Sequence, residues 1–234
     1  MNFLGLDVET TGLDTATDQV IEVGAVLWDA TRKAPLSIVS EIIRPGRDVK
    51  VSDEITRITG ITQYDVDSYG QDFRQVWAKV EKLMARADAC MAHNAPFDAA
   101  MLKRTAEEHG MTLPKMVWID TMTDLPYPDS ITVRALPYLA VEHGFMNPFS
   151  HRAAMDVLTM LRISSHYNPE EVMALAKMRT VIVRAMVSYD DREKAKARGY
   201  RWDGERKWWI KPMKETRAAE EMAQAPFKVV MLSE

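Results

Sequence analysis

Phe3, Leu4, Leu6 and Val8 make residues 2–9 a near-continuous apolar run. Such a run predicts a central strand covered on both faces. Gln19–Trp28 and Leu36–Ile43 are rich in β-branched residues and flank the polar stretch Asp29–Pro35, which predicts a hairpin ended by Pro45-Gly46. Ser52-Asp53-Glu54 opens a short helix, and a longer one lies within Ser68–Ala87. Ala89–His93 predicts a short buried strand. Asn94-Ala95-Pro96 then starts a helix that runs to Gly110. Val117–Ile119 predicts a further strand, followed by helices near Val133–His143 and Arg152–His166. This order specifies an α/β fold with a mixed sheet flanked by helices.

Asn168-Pro169 closes that body, so residues 1–167 form one domain and 168–180 a connector with a helix in Glu170–Arg179. Residues 181–234 predict a small α+β domain. Its strand Val181–Tyr189 leads to a helix Asp191–Arg198, capped by Asp190 and closed by Gly199. A hairpin over Tyr200–Ile210 turns at Asp203-Gly204; Pro212 precedes a helix Lys214–Gln224, and Phe227–Leu232 is the last strand.

Composition narrows the class. At 234 residues and 47% hydrophobic, the chain can bury a sizeable core. The single cysteine, Cys90, excludes an intrachain disulfide framework and suits a reducing compartment. No stretch approaches the roughly 18 apolar residues of a membrane span, and no basic-then-apolar leader precedes the first strand. The expectation is a soluble cytoplasmic protein without a membrane partner. Residues 180–234 carry 12 Lys and Arg against 9 Asp and Glu, and residues 1–179 carry 18 against 25. An acidic body thus adjoins a mildly basic accessory unit.

The acids carry the chemistry. Asp7 and Glu9 lie two apart on the first strand, so both point to one face. Two carboxylates on a buried face are costly unless cations compensate them, and a pair of divalent metals would do so. That predicts more acids. Asp98 follows four residues after Asn94 at a helix start, where the helix dipole alone would favour it. His151 and Asp156 lie five apart, about 140° around a helix. They can face one site if His151 sits on the preceding loop, with Ser150 as candidate cap, and Asp156 projects from the second turn.

These motifs, Leu6-Asp7-Val8-Glu9-Thr10-Thr11-Gly12-Leu13, then His93-Asn94 with Phe97-Asp98, then His151 with Asp156, resemble in order those of the DEDDh exonucleases, the superfamily of bacterial proofreading subunits. Ile58-Thr59-Gly60-Ile61-Thr62 and Ile119-Asp120-Thr121 support the resemblance. It implies a ribonuclease-H-like fold and a 3′→5′ exonuclease that releases nucleoside monophosphates from DNA. It implies that Asp7, Glu9, Asp98 and Asp156 hold two divalent cations, Mg²⁺ or Mn²⁺, and that His151 is the general base, a role suited to histidine's reference pKa near neutrality. It also points to the Thr10 amide at the terminal sugar and to Leu13 as a wedge against the last base. Thr11, equally a turn residue, and His93 and Asn94, the latter equally a helix cap, are candidates to line the groove; Phe97 is read as core. The resemblance implies a partnership with single-stranded DNA 3′ ends. An exoribonuclease and a non-catalytic nucleic-acid-binding or polymerase-associated protein are the alternatives.

In the accessory unit, Tyr200, Trp202, Trp208 and Trp209 interleave with Arg201, Arg206, Lys207 and Lys211. Aromatics among basic residues suit single-stranded nucleic acid. A core role competes, and it is favoured for Trp202 and one of Trp208 and Trp209. Asp191–Pro212 resembles a small domain of unknown role in bacterial and phage DNA-processing proteins, whose pattern Lys194–Lys211 matches. A polymerase or a replication or repair protein is a candidate partner for this unit.

Overall fold

The elements follow the predicted order with local changes. In this computed structural model, which describes residues 1–232, they are β1 (Asn2–Thr10), β2 (Val20–Asp29), β3 (Ala34–Ile42), α1 (Asp53–Thr59), α2 (Gln63–Ser68), α3 (Phe73–Met84), β4 (Ala89–Ala92), α4 (Ala95–Glu108), β5 (Trp118–Asp120), α5 (Leu136–Glu142), α6 (Ala153–Ser164) and α7 (Pro169–Ala176). The C-terminal unit contributes β6 (Thr180–Met186), α8 (Arg192–Ala197), β7 (Arg201–Asp203), β8 (Trp208–Lys214), α9 (Glu215–Gln224) and β9 (Lys228–Met231). Residues 233–234 of the predicted accessory unit lie outside the described residues.

The first sheet has the order β3-β2-β1-β4-β5. β1 pairs antiparallel with β2 and parallel with β4, so the sheet is mixed and β1 lies at its centre. Leu4, Leu6 and Val8 point to one side and join Val76, Trp77, Met101 and Leu102 in one core. Phe3 joins a second core on the other side, with Val157, Met160 and Leu161 of α6. Burial on both faces explains the unbroken apolar run of β1. Asp7 and Glu9 share the α6 side by strand alternation.

Glycine lets α6 approach closely. A Cβ on Gly24 would stand 2.4 Å from the backbone of Ala153 and Ala154, and one on Gly5 would stand 2.6 Å from Val157 Cγ1. Gly24 pairs with Asp7 across the β1–β2 ladder. The N-terminus of α6 is therefore pressed onto the sheet beside the strand that carries the first two acids.

The second sheet, β7-β8-β6-β9, packs its own core of Val181, Val183, Tyr200, Met213 and Ala218. Several expectations need correction here. Trp202 is 53% exposed, because β7 is a three-residue edge strand; the buried aromatic is Tyr200. Asp191, not Asp190, stands at the N-cap of α8, with no side-chain cap bond. Pro212 lies within β8, beyond the three residues that pair with β7, where its missing N–H leaves no ladder bond to β7 unmade. In the body, Pro35 likewise falls inside the edge strand β3. Helix α2 is an element that the hydrophobic pattern does not predict; it is held by a Thr62–Asp65 capping box.

Candidate active site

Three segments bring their acids to one place. β1 presents Asp7 and Glu9. Asp98, 2% exposed in the first turn of α4, accepts a hydrogen bond from the Val8 amide at 3.2 Å, which ties that turn to β1 between the other two acids. Asp156 lies in the first turn of α6 rather than the second, because the helix begins at Ala153 with Arg152 at the N-cap. Ser150 is not the cap. Instead the Glu22 carboxylate accepts from the Ala153 amide at 2.9 Å and from Arg152 Nη2 at 2.8 Å.

His151 sits on the loop before α6, as expected, with a left-handed φ of 63°. Its backbone amide donates to Asp156 Oδ2 at 2.7 Å, and Asn147 Nδ2 donates to Asp156 Oδ1 at 2.6 Å. Glu9, His151 and Asp156 offer ligand atoms within 4.8 Å of one another. His151 is exposed and Asp156 half-buried, so this side of the cluster faces solvent.

The electrostatics show how poorly the acids are compensated. Burial, then Asp98, Glu9 and Asp156, push the Asp7 carboxyl well above its usual range. Burial, then Asp156 and Glu22, raise Glu9 to about 8, against a smaller opposing pull from Arg152. Burial raises Asp98 despite the Val8 amide, and raises Asp156 despite the His151 amide. Arg152 is already engaged by Glu22. A hard divalent cation with oxygen preference fits such a donor set: several carboxylates, converging from three segments, with little cationic charge beside them.

The other predicted residues divide into two groups. Leu13 is 86% exposed on the loop after β1, free to meet a partner. Thr10 is buried and its hydroxyl donates to the Gly12 carbonyl at 2.5 Å. Thr11 bonds Asp18 and Gln19 and so shapes the loop. The His93 ring bonds Thr121 Oγ1 at 2.8 Å and the Arg134 carbonyl at 2.7 Å, and burial holds its pKa down to about 4. Both ring nitrogens are thus engaged within the protein. Asn94 stands at the N-cap of α4 with φ 77° and makes no side-chain cap; its amide donates to Asp120 Oδ1 at 3.1 Å. Phe97 is partly buried against the core.

Sequence reasoning missed Glu22, Asn147 and Asp124. Glu22, 1% exposed, pairs with Glu9 across the ladder and holds the start of α6. A lone glutamate within an apolar strand was the available signal. Asn147 leaves no pattern to find.

The profile of the family described as Exonuclease matches residues 4–164, and that of a domain of unknown function matches residues 181–232. The chain therefore belongs to the exonuclease family, as a member of the DEDDh 3′–5′ superfamily. It is 27% identical over 158 residues to a DNA polymerase III subunit epsilon-like protein of Rhodobacter capsulatus, covering 67% of this chain and 20% of that one. It is 31% identical over 122 residues to a PolC-type DNA polymerase III of Caldanaerobacter subterraneus, covering 51% of this chain and 8% of that one. The chain thus spans a minor part of these relatives. Among solved structures it resembles the nuclease domain of 3′hExo, a DEDDh family member bound to rAMP, with TM-score 0.60, 20% identity and coverage of 70% of this chain and 90% of that one. It also resembles E. coli exonuclease I in complex with a dA16 oligonucleotide, with TM-score 0.61, 16% identity and coverage of 79% and 48%. Both likenesses concern the fold, which is ribonuclease-H-like in the body with a separate small C-terminal sheet.

Proposed function

We propose that this protein is a metal-dependent 3′→5′ exonuclease that releases nucleoside monophosphates from DNA ends, with residues 1–167 as its catalytic domain, 168–180 as connector and 181–234 as an accessory domain. One observation carries the reading: acids from β1, α4 and α6 converge beside His151 with little cationic compensation. Asp7, Glu9, Asp98 and Asp156 would hold two divalent ions, Mg²⁺ or Mn²⁺. Bound there, the ions would supply Lewis-acid activation of water and neutralise charge on the phosphate.

The chain's own residues do the rest. The His151 ring takes the proton of the attacking water, whose oxygen bonds to phosphorus as the P–O3′ bond breaks. The shortened strand keeps a 3′-hydroxyl, and a nucleoside 5′-monophosphate leaves. Asn147 and the His151 amide fix the Asp156 carboxylate, and Glu22 fixes the turn on which both His151 and Asp156 depend. The Thr10 amide would contact the terminal sugar and the exposed Leu13 would wedge against the last base; Thr11 shapes their loop. The relatives named above are DNA polymerase III proteins, which favours DNA over RNA and a replication or repair partner.

A time course with 5′-labelled single-stranded DNA, duplex DNA and RNA tests this. Laddering from the 3′ end of DNA, abolished by EDTA, is expected. His151→Ala should keep DNA binding and lower turnover roughly 10²–10⁴-fold. Activity that survives EDTA, or shortening from the 5′ end, would sink the proposal; faster loss of RNA would transfer it to exoribonuclease.

A further inference from the structure

Two clefts open between the body and the C-terminal unit. One, of about 350 Å³, is lined by Arg134, Arg198, Arg201, Lys211 and Arg217. The other, of about 540 Å³, is lined by Asn94, Pro96, Asp120 and again Arg201. Both also share Met122, Thr123, Pro212 and Lys214, so they are continuous. The second therefore begins at the N-terminus of α4, the helix that delivers Asp98 to the acid cluster. The first continues it beneath β8 and α9.

The first cleft carries more cations than its acids balance, whereas in the second Arg201 and Lys214 face Asp120 and Asp124. Arg198 is paired with Glu221 at 2.7 Å and Lys214 with Asp124 at 2.7 Å. Arg134 bonds the Ile131 carbonyl and lies over Tyr127. Lys211 donates to the Arg198 carbonyl. Among the described residues, Arg201 and Arg217 have no acidic partner. Asp129, Glu220 and Glu221 also line the first cleft; burial first lowers Lys211, Glu221 opposes it, and Arg134 and Arg198 add to the lowering. A cleft with an excess of cations, two of them without an acidic partner, in an otherwise acidic chain is a site for an anion.

The aromatic residues of the accessory hairpin do not line the clefts. Arg201 lines the clefts, while its strand neighbour Trp202 packs on Trp209 at 5.5 Å between ring centroids and lines neither. The accessory wall of the groove thus offers cations rather than rings, and the one aromatic side chain that lines either cleft, Trp118, stands on the body wall.

We propose that the accessory unit forms the second wall of a phosphate-binding groove, in which Arg201 and Arg217 hold the backbone of a single strand upstream of the 3′ end seated at the acid cluster. The identity of the end at the acid cluster rests on the exonuclease reading; the anion affinity of the groove does not.

Anisotropy of 5′-labelled oligothymidylates in EDTA, with the full chain, separates the two. For the double variant R201E/R217E, both positions being exposed, affinity for dT15 should fall about tenfold or more. The slope of log affinity against log salt should drop by about 1.4, at roughly 0.7 per phosphate contact on a single strand. The loss should shrink on dT3, and Trp202→Ala should bind dT15 as the parent does. Unchanged thermal melting of the double variant checks its fold. An unaltered dT15 affinity and slope, or an equal loss on dT3, would overturn the groove. If the parent degrades no oligonucleotide yet the double variant loses dT15, the exonuclease reading falls and the groove stands.

Discussion

At the scale of single residues, the site is a set of acids held above their ordinary pKa. Glu9 is the clearest case: burial, Asp156 and Glu22 raise it to about 8. The folded, cation-free protein then keeps a proton that the unfolded chain has already released. This contribution to stability is fully present below the unfolded carboxylate range, near 4.5, and is lost as pH rises through about 8. A divalent cation must displace that proton, so its binding strengthens over the same window. We expect the melting temperature without cation to fall between about pH 5 and about pH 9, and the rise on adding Mg²⁺ or Mn²⁺ to be larger at the higher pH. Thermal scans with and without EDTA check this; a rise that is equal at both ends would mean the acids are not the cation ligands. The pair Asp7 and Glu9 was legible from strand alternation alone. Glu22 was not, because one acid in an apolar strand does not announce that it will hold a helix start 131 residues away.

At the scale of elements, α6 must sit against β1 and β2 for His151 and Asp156 to reach the acids, and two glycines permit it. They differ in what a methyl group would meet. At Gly24 it meets the backbone of Ala153 and Ala154, which can yield only if the helix shifts. At Gly5 it meets the Val157 and Leu161 side chains, which can rotate. Gly24→Ala should therefore cost about 1–3 kcal/mol and also lower turnover, while Gly5→Ala should cost stability with a smaller effect on turnover. Chemical denaturation and initial rates on the two variants separate the cases; a Gly24→Ala protein with normal rates would show that α6 has slack. The order of strands and helices in the body was legible because apolar runs and Gly or Pro stops mark it. Helix α2 was not, since a six-residue element has too few positions to show a period and is fixed instead by its capping box. Trp202 was misjudged because a sequence does not say which strand lies at an edge.

At the scale of the whole molecule, the question is what joins the accessory unit to the body, and the answer lies in Lys214 and Asp124. Their side chains are 4% and 3% exposed and 2.7 Å apart. Lys214 Nζ also donates to the Met178 carbonyl and to Thr180 Oγ1, and Asp124 accepts from the Asp120 amide at 3.0 Å. Asp120 in turn accepts from the Asn94 amide at the start of α4. A run of polar contacts thus leads from β8, in the accessory unit, to the helix that carries Asp98. The helix start at Asn94 was legible, but the Lys214–Asp124 pair was not, because a buried ion pair between units depends on docking that local pattern does not encode. Burying such a pair is of doubtful net benefit, but removing one partner strands a charge and costs about 3–5 kcal/mol. Lys214→Met should be destabilised by that order, and Lys214→Met with Asp124→Asn should recover much of it, since the amide oxygen still accepts from Asp120. If the ion pair is also what makes the two units unfold together, calorimetry of the parent should give one transition and Lys214→Met should split it in two, with the double variant returning toward one. A single variant that melts like the parent, at the parent's temperature, would show that the units are joined by something other than this pair.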